Sequence, residues 1–553
     1  MAIVQRRIGG IFGLFFLLLI LAGGRTLYLG ALKGGSLRKA AATQQLTSEA
    51  VPAQRGSITD RNGIDLAVSE PAQDVSATPY LVTNPLQTAQ KLAPLLGKPQ
   101  DQVLRLLSQR SGFVYLARAL PAKQAHEIMA MKIAGIAGAP VMRRVYPRGD
   151  LAAQVLGVVG TEGNGLSGLE YSRNALLHGH SGQRHVVSDA LGQPVSINEV
   201  RPEESGTPIS LTLDANIQQR TEDVLSAVGR VFSPKDATAI VMDPNSGAIL
   251  AMANWPQVNA NDPGGSSPEA LQNRAVGFDY EPGSTFKAFT VAGALQQGLV
   301  TPTSSFFVPD KIQVADRTIH DDTEHGDETL TTAQILAQSS NVGAIEIGAR
   351  EGKNDFSQWV SKFGFGRRTG VELPGEEIGQ VLPVGKYSGS SMGNLPIGQG
   401  QLVTPLQMAS AYAAIANGGI LRPPHVIAKV GSEPQRAPAG HRVISSETAA
   451  SLRQMLEGVL APGGTASEVS IPGYQLAGKT GTASKVDEAT GEYSKSRYVA
   501  SFMGFAPASH PKLLTAVIVD EPQSGSIFGG TVAAPAFGEI MSFALPYLRI
   551  PPG

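Results

Sequence analysis

Cysteine is absent from the 553 residues. That excludes a disulfide scaffold, a thiolate nucleophile, an iron–sulfur cluster and cysteine-ligated zinc. Histidine is sparse, with nine in all, and no H-E-x-x-H motif occurs, so no metal site is expected. Charge is also scarce. Only 16% of residues are charged, and 45 Lys+Arg against 46 Asp+Glu leave a net charge of −1. A nucleic-acid binder normally carries a basic footprint, and none is seen. There is no internal repeat and no nucleotide-binding glycine loop. What remains is ample apolar material, 42% of the chain, at a length that calls for two or more domains. The 63 Gly and 37 Pro imply many turns.

Long apolar runs are missing too, with one exception. Ile8 to Gly24 carries no charge, and Arg6 and Arg7 precede it. A bilayer core needs about 20 helical residues. Arg25 can snorkel while Leu27, Tyr28 and Leu29 lengthen the span. The expectation is a short cytoplasmic tail over 1–7 and a single-pass transmembrane anchor over 8–29, with the remainder outside the cytoplasm by the positive-inside rule. The alternative is a cleaved signal peptide, but the run exceeds the usual apolar region of one.

Residues 30–50 read as a polar, Ala-rich helix or stalk. At 58–68, Ile58-Thr59-Asp60 and Leu66-Ala67-Val68 flank Asn62-Gly63, the strongest short hairpin signal because both turn positions favour φ > 0. Helical pieces follow over 84–132, then strand and loop over 141–215. The segment 30–210 therefore reads as an extended, non-catalytic α+β module. A second domain, 211–553, opens with a strand, an N-cap at Asp214 and a helix bearing Ile217, Val224, Leu225 and Val228. Strands are expected at 237–242 and 248–253, a central helical stretch at about 284–420, two more strands within 497–508 and 512–522, and a last helix within 533–548. Strands at both ends with helices between them predict one antiparallel, helix-covered sheet whose two ends meet.

Three short stretches carry chemistry. Ser284-Thr285-Phe286-Lys287 follows a Pro-Gly turn and opens an apolar helix, so Ser284 and Lys287 share a helix face. A serine hydroxyl needs an adjacent base, and a desolvated lysine near a helix N-terminus can serve. Alone this tetrapeptide is weak; a capping serine and a surface lysine would explain it. Ser339-Ser340-Asn341, read alone, is a turn or capping loop, and Lys479-Thr480-Gly481-Thr482 an edge strand with a glycine bulge. The order S-x-x-K, S-x-N, K-T-G at domain-scale separations is the set found in penicillin-recognising serine enzymes.

On these residues the chain resembles the class B penicillin-binding proteins, and most closely their division-specific, FtsI-type branch. The resemblance extends through Arg55-Gly56-x-Ile58-x-Asp60-Arg61-Asn62-Gly63, RVYPRGDLAAQVLG (144–157), GLSGLE (165–170), NRAVGFDYEPGSTFKAFT (273–290) and GQGQLVTPLQMASAYAAIANGG (398–419). It implies an α+β penicillin-binding transpeptidase fold with an all-helical subregion, an elongated N-terminal α+β pedestal of dimerisation type over 30–210, a transpeptidase domain over 211–553 and one transmembrane helix.

The implied activity is cross-linking of peptidoglycan stem peptides on lipid-linked glycan strands. Ser284 would be the nucleophile and Lys287 its base. Ser339 would relay a proton, with Lys479 tuning it, and Asn341 would bind the donor's amide backbone. Lys479, Thr480 and Thr482, around Gly481, would bind the terminal carboxylate, and the backbone N–H groups of Ser284 and Thr482 would form the oxyanion hole. No metal or organic cofactor is implied. The implied partners are a SEDS-type glycosyltransferase and other division membrane proteins, with β-lactams as covalent inhibitors, at the cytoplasmic membrane of the division septum. Rival readings are an elongation-type class B transpeptidase, a D,D-carboxypeptidase or β-lactamase using water as acceptor, and a β-lactam-binding sensor. No E-x-x-L-N-type element that would supply a deacylating glutamate is seen.

Overall fold

A computed structural model describes residues 2–33, 35, 46–188, 194–487 and 489–552. The stalk expected over 30–50 falls largely outside the described residues, and 46–50 belong to a strand. Helix α1 (Ala2–Leu27) continues as a short π-helical turn, Tyr28–Leu32. Among the described residues Gln5–Ala31 is the one helix long and apolar enough to cross a membrane, with mean hydropathy 2.0.

The chain forms two compact units that interleave along the sequence, and they do not follow a single boundary at 210/211. One comprises Met1–Gln54, Pro71–Met142 and Gly179–Gly206. The other comprises Arg55–Glu70, Arg143–His178 and Thr207–Gly553. The first has a three-stranded antiparallel sheet, Leu46–Val51 against Gly182–Ser188 against Pro194–Arg201. It also has helices Pro85–Leu96, Gln100–Leu107 and Ala122–Ala130, whose buried faces share a core of Leu92, Val103, Leu107, Leu116 and Ile128.

The second unit holds the motifs. Helix α2 (Ala215–Phe232) starts where expected: the Asp214 carboxylate accepts hydrogen bonds from the N–H groups of Asn216 and Ile217. Strands β1 (Asp236–Met242) and β2 (Ile249–Trp255) pair antiparallel. β3 (Ala477–Val486), β4 (Tyr493–Ala506) and β5 (Leu513–Asp520) complete a five-stranded antiparallel sheet in the order β2-β1-β5-β4-β3. The pairing of β5 with β1, for example Ala516 with Ile240, joins the two sequence-distant ends of the domain. β1 and β5 are buried at every position, as strands covered on both faces must be. The helices that bear on the site include α3 (Lys287–Gln296), α4 (Thr332–Gln338), α5 (Asn341–Glu351), α6 (Pro405–Ala416), α7 (Ser446–Glu457) and α8 (Ala534–Tyr547). The stretch 284–420 is not wholly helical, since short strands at Ser305–Val308, Lys311–Val314, Arg317–His320 and Glu328–Thr331 interrupt it.

Two N-terminal segments are part of this unit. Ile58-Thr59 pairs parallel with Ile209-Ser210. The Asn62-Gly63 turn is not the mirror-image hairpin turn that the dipeptide predicts, because only Gly63 takes positive φ (+85°). The buried Asp60 carboxylate overrides it. Its Oδ1 accepts the N–H groups of Asn62 (2.7 Å) and Ile64 (2.8 Å), and its Oδ2 accepts that of Ala215 at the start of α2 (3.1 Å). Nearby, Glu170 is wholly buried between two arginines: Arg55 Nε lies 2.5 Å from its Oε2 and Arg144 Nε 2.7 Å from its Oε1. A buried carboxylate this closely paired is held by charge-assisted hydrogen bonds.

Candidate active site

Pro282 leads into a 3-10 turn, Gly283–Phe286, which runs directly into α3. Ser284 and Lys287 lie one turn apart at this junction, as their spacing predicts. An aromatic cluster fixes the junction from behind. The Phe286 ring centroid lies 5.3 Å from Phe289 and 5.2 Å from Phe365, and Tyr412 of α6 packs 5.2 Å from Phe289. The Tyr412 hydroxyl donates to the Thr285 carbonyl (2.6 Å), so the turn carrying the serine is tied to a core helix.

The turn lies against the outer edge of β3, the last strand of the sheet. A Cβ on Gly481 would collide with the Ser501 hydroxyl and sit 2.9 Å from Thr285 Cγ2 and 3.1 Å from the Pro282 carbonyl oxygen. A Cβ on Gly283 would sit 3.1 Å from the Thr482 carbonyl oxygen. Only glycine at 481 allows this approach, which brings the backbones of the first and third motifs together. Lys479 and Thr480 are buried, and the Thr480 hydroxyl meets that of Thr465 at 2.6 Å. Lys479 Nζ donates to the Thr480 carbonyl (3.2 Å), and the Thr482 hydroxyl accepts from Gly529 N (3.1 Å).

The second motif joins α4 to α5. Ser339 ends α4 in the left-handed region (φ +66°), a conformation that costs a non-glycine residue about 1–2 kcal/mol. Ser340 then caps α5, its hydroxyl accepting from Gly343 N (2.9 Å). The sharp link turns Ser339 and Asn341 toward α3. Lys287 Nζ donates to the Ser339 carbonyl and to Asn341 Oδ1 (2.7 Å), and lies 3.3 Å from Ser339 Oγ.

Lys287 is fully buried, and desolvation lowers its pKa to about 8, against the opposing influence of the Asp322 and Asp321 carboxylates. Burial also pushes Lys479 well below the ordinary lysine range, helped by repulsion from Lys287. The two lysines are therefore electrostatic neighbours, with the Asp322 carboxylate opposing both shifts.

Lys287, Ser339 and Asn341 are joined directly, and Lys479, which contacts Thr480, feels the charges of Lys287 and Asp322. The Ser284 hydroxyl makes no hydrogen bond to another described residue, so its expected contact with Lys287 is not formed in this structure. Three participants escaped the sequence reading: Asp321 and Asp322, which touch the second motif, and Thr465, which touches the third. The acidic, histidine-containing run at 320–325 was the available signal for the first two.

Residues 237–542 match the penicillin binding protein transpeptidase domain, and residues 50–211 match the penicillin-binding protein dimerisation domain. The chain is 34% identical to penicillin-binding protein PbpB of Mycobacterium tuberculosis, covering 97% of this chain and 84% of that protein. It is 33% identical to the peptidoglycan D,D-transpeptidase FtsI of Escherichia coli, covering 98% and 91%. Among solved structures, penicillin binding protein 3 of M. tuberculosis complexed with aztreonam superposes with a TM-score of 0.72 at 32% identity, covering 91% of this chain and 98% of that one.

Proposed function

The chain belongs to the class B penicillin-binding proteins, the peptidoglycan D,D-transpeptidases, and from that premise we propose that it cross-links stem peptides at the division septum through an acyl-enzyme on Ser284. Ser284 Oγ attacks the penultimate D-Ala carbonyl and expels D-Ala, and the amine of a neighbouring stem then takes the acyl group. Lys287 is the base. A neutral lysine has two N–H bonds and one lone pair. The Ser339 carbonyl and Asn341 Oδ1 engage the two N–H bonds, which leaves the lone pair for the serine proton. The lowered pKa of Lys287, about 8, gives a sizeable neutral fraction near physiological pH, far above that of an ordinary lysine.

Ser339 relays a proton to the leaving amine, with Lys479 tuning it. Asn341 binds the donor's amide backbone, and Lys479, Thr480 and Thr482 bind the terminal carboxylate. The N–H groups of Ser284 and Thr482 stabilise the oxyanion, a contribution of about 10²–10³ in rate per donor. The close approach of the Gly283–Phe286 turn to the edge of β3 supports this pairing of donors.

The apolar helix α1 supports single-pass anchoring in the cytoplasmic membrane, with the catalytic unit outside. The match of 50–211 to a dimerisation domain supports a role for that segment in binding a partner, which we assign as a SEDS-type glycosyltransferase. The observation that carries the enzymatic reading is the hydrogen-bonded junction of Lys287 with Ser339 and Asn341 beside the edge strand bearing Lys479 and Thr480. Mass spectrometry of the full-length protein after penicillin treatment tests it. The expected result is one covalent adduct, lost in Ser284→Ala; an adduct retained in that variant overturns the nucleophile assignment.

A further inference from the structure

The Asp321 carboxylate accepts three hydrogen bonds from groups about twenty residues away and faces a fourth polar group, His325, nearby in sequence. Its Oδ1 takes the N–H of Asn341 and, at 2.9 Å, that of Val342; its Oδ2 takes the Ser340 hydroxyl (2.7 Å) and faces His325 Nε2 (3.1 Å). Its side chain is only 8% exposed. α5 is thus capped twice. Ser340 supplies the local cap, and Asp321 holds the first two amides from a separate segment that follows the strand Arg317–His320.

The same segment grips the Asn341 side chain. Asn341 Nδ2 donates to the His320 carbonyl (2.9 Å) and to Asp322 Oδ1 (3.3 Å), which leaves Asn341 Oδ1 directed at Lys287 Nζ. One residue therefore separates Asp321 from the amine on which the acylation chemistry turns. A capping role at a helix start explains two of the four contacts. It does not explain a charged side chain that also holds the hydroxyl and the backbone of the motif facing that amine.

We propose that Asp321 is a positioning residue for acylation: it fixes Ser340 and Asn341 so that Asn341 orients the Lys287 amine. Its negative charge is also one of two that oppose the loss of a proton from that amine. The charged and titratable groups around it are His325, Asp310, Glu328, His320 and Asp322, with Lys287 on the far side of Asn341. Among these, Asp322 acts on Lys287 in the same direction, so removing Asp321 weakens the opposition to desolvation without abolishing it. Less nearby negative charge means a lower lysine pKa, and the base becomes neutral at lower pH.

The inference rests on the acylation chemistry assigned to Ser284. Its test is the second-order rate constant for a fluorescent penicillin, measured against pH on detergent-solubilised full-length protein. If the wild type takes no label, the proposed function falls; the inference about Asp321 is judged on a wild type that labels. Asp321→Asn keeps the shape and the acceptor for two amides but removes the charge. Its half-maximal pH should fall by about one unit. Asp321→Ala removes the acceptors as well, and its rate at the wild-type optimum should fall about 100-fold, as a displacement near 1 Å does. Asp321→Glu restores the charge, so its midpoint should return toward the wild-type value. A purely structural role would lower the labelled fraction without moving any midpoint. An unchanged midpoint in Asp321→Asn overturns the proposal, whether or not Asp321→Ala folds.

Discussion

Lys287 shows how one residue type acquires a task from its surroundings. An exposed lysine is protonated at neutral pH and useless as a base. Here a fully buried amine, bonded to a carbonyl and an amide oxygen, has its pKa lowered to about 8, with desolvation as the main cause. Acylation requires the neutral form, so its rate should rise with pH through about 8 and level off above it. Stopped-flow acylation of the wild type at closely spaced pH values checks this, and a rate that falls over that range contradicts the assigned base. Lys287 was legible from its three-residue spacing to Ser284. Asp321 was not, because its contacts span about twenty residues and depend on a hairpin whose short, half-exposed strands leave little apolar periodicity to read.

At the scale of elements, the site depends on how closely the nucleophile turn approaches strand β3. Gly481 permits that approach, since any Cβ there meets Ser501, Thr285 and Pro282. Gly481→Ala should force the turn outward. Overpacking of this kind costs about 1–3 kcal/mol of stability, and acylation should fall more than tenfold because the serine and the strand amide no longer share a reacting carbon. Thermal unfolding measured beside acylation separates the two effects, and a variant labelling at the wild-type rate would show that the contact is dispensable. The edge-strand position of this motif and the capping by Asp214 were readable from local residue types. The Asn62-Gly63 turn misled because the Asp60 carboxylate, bonded both within the turn and to α2, outweighs a dipeptide preference.

On the scale of the molecule, one helix among the described residues is long and apolar enough to cross a membrane, and the family match across most of the chain describes a peptidoglycan transpeptidase. Depleting it in its host should block septation and give filaments, scored by microscopy; rounded cells would instead assign it to elongation. That one antiparallel sheet joins the two ends of the domain was legible, because strands at both ends must find each other to bury their faces. The interleaving of the two units was not, since it is set by pairings such as Ile58 with Ile209, some 150 residues apart, that leave no local mark.

That interleaving bears on how the polypeptide leaves the ribosome. Arg55–Glu70 is synthesised long before its strand partner Ile209–Leu211 and the start of α2 that Asp60 caps. These early residues must wait for those partners while 71–142 and 179–206 of the other unit are translated. A gene fragment beginning near residue 211 would also discard them, together with the buried Arg55–Glu170–Arg144 cluster, and strip the first amide of α2 of its Asp60 acceptor.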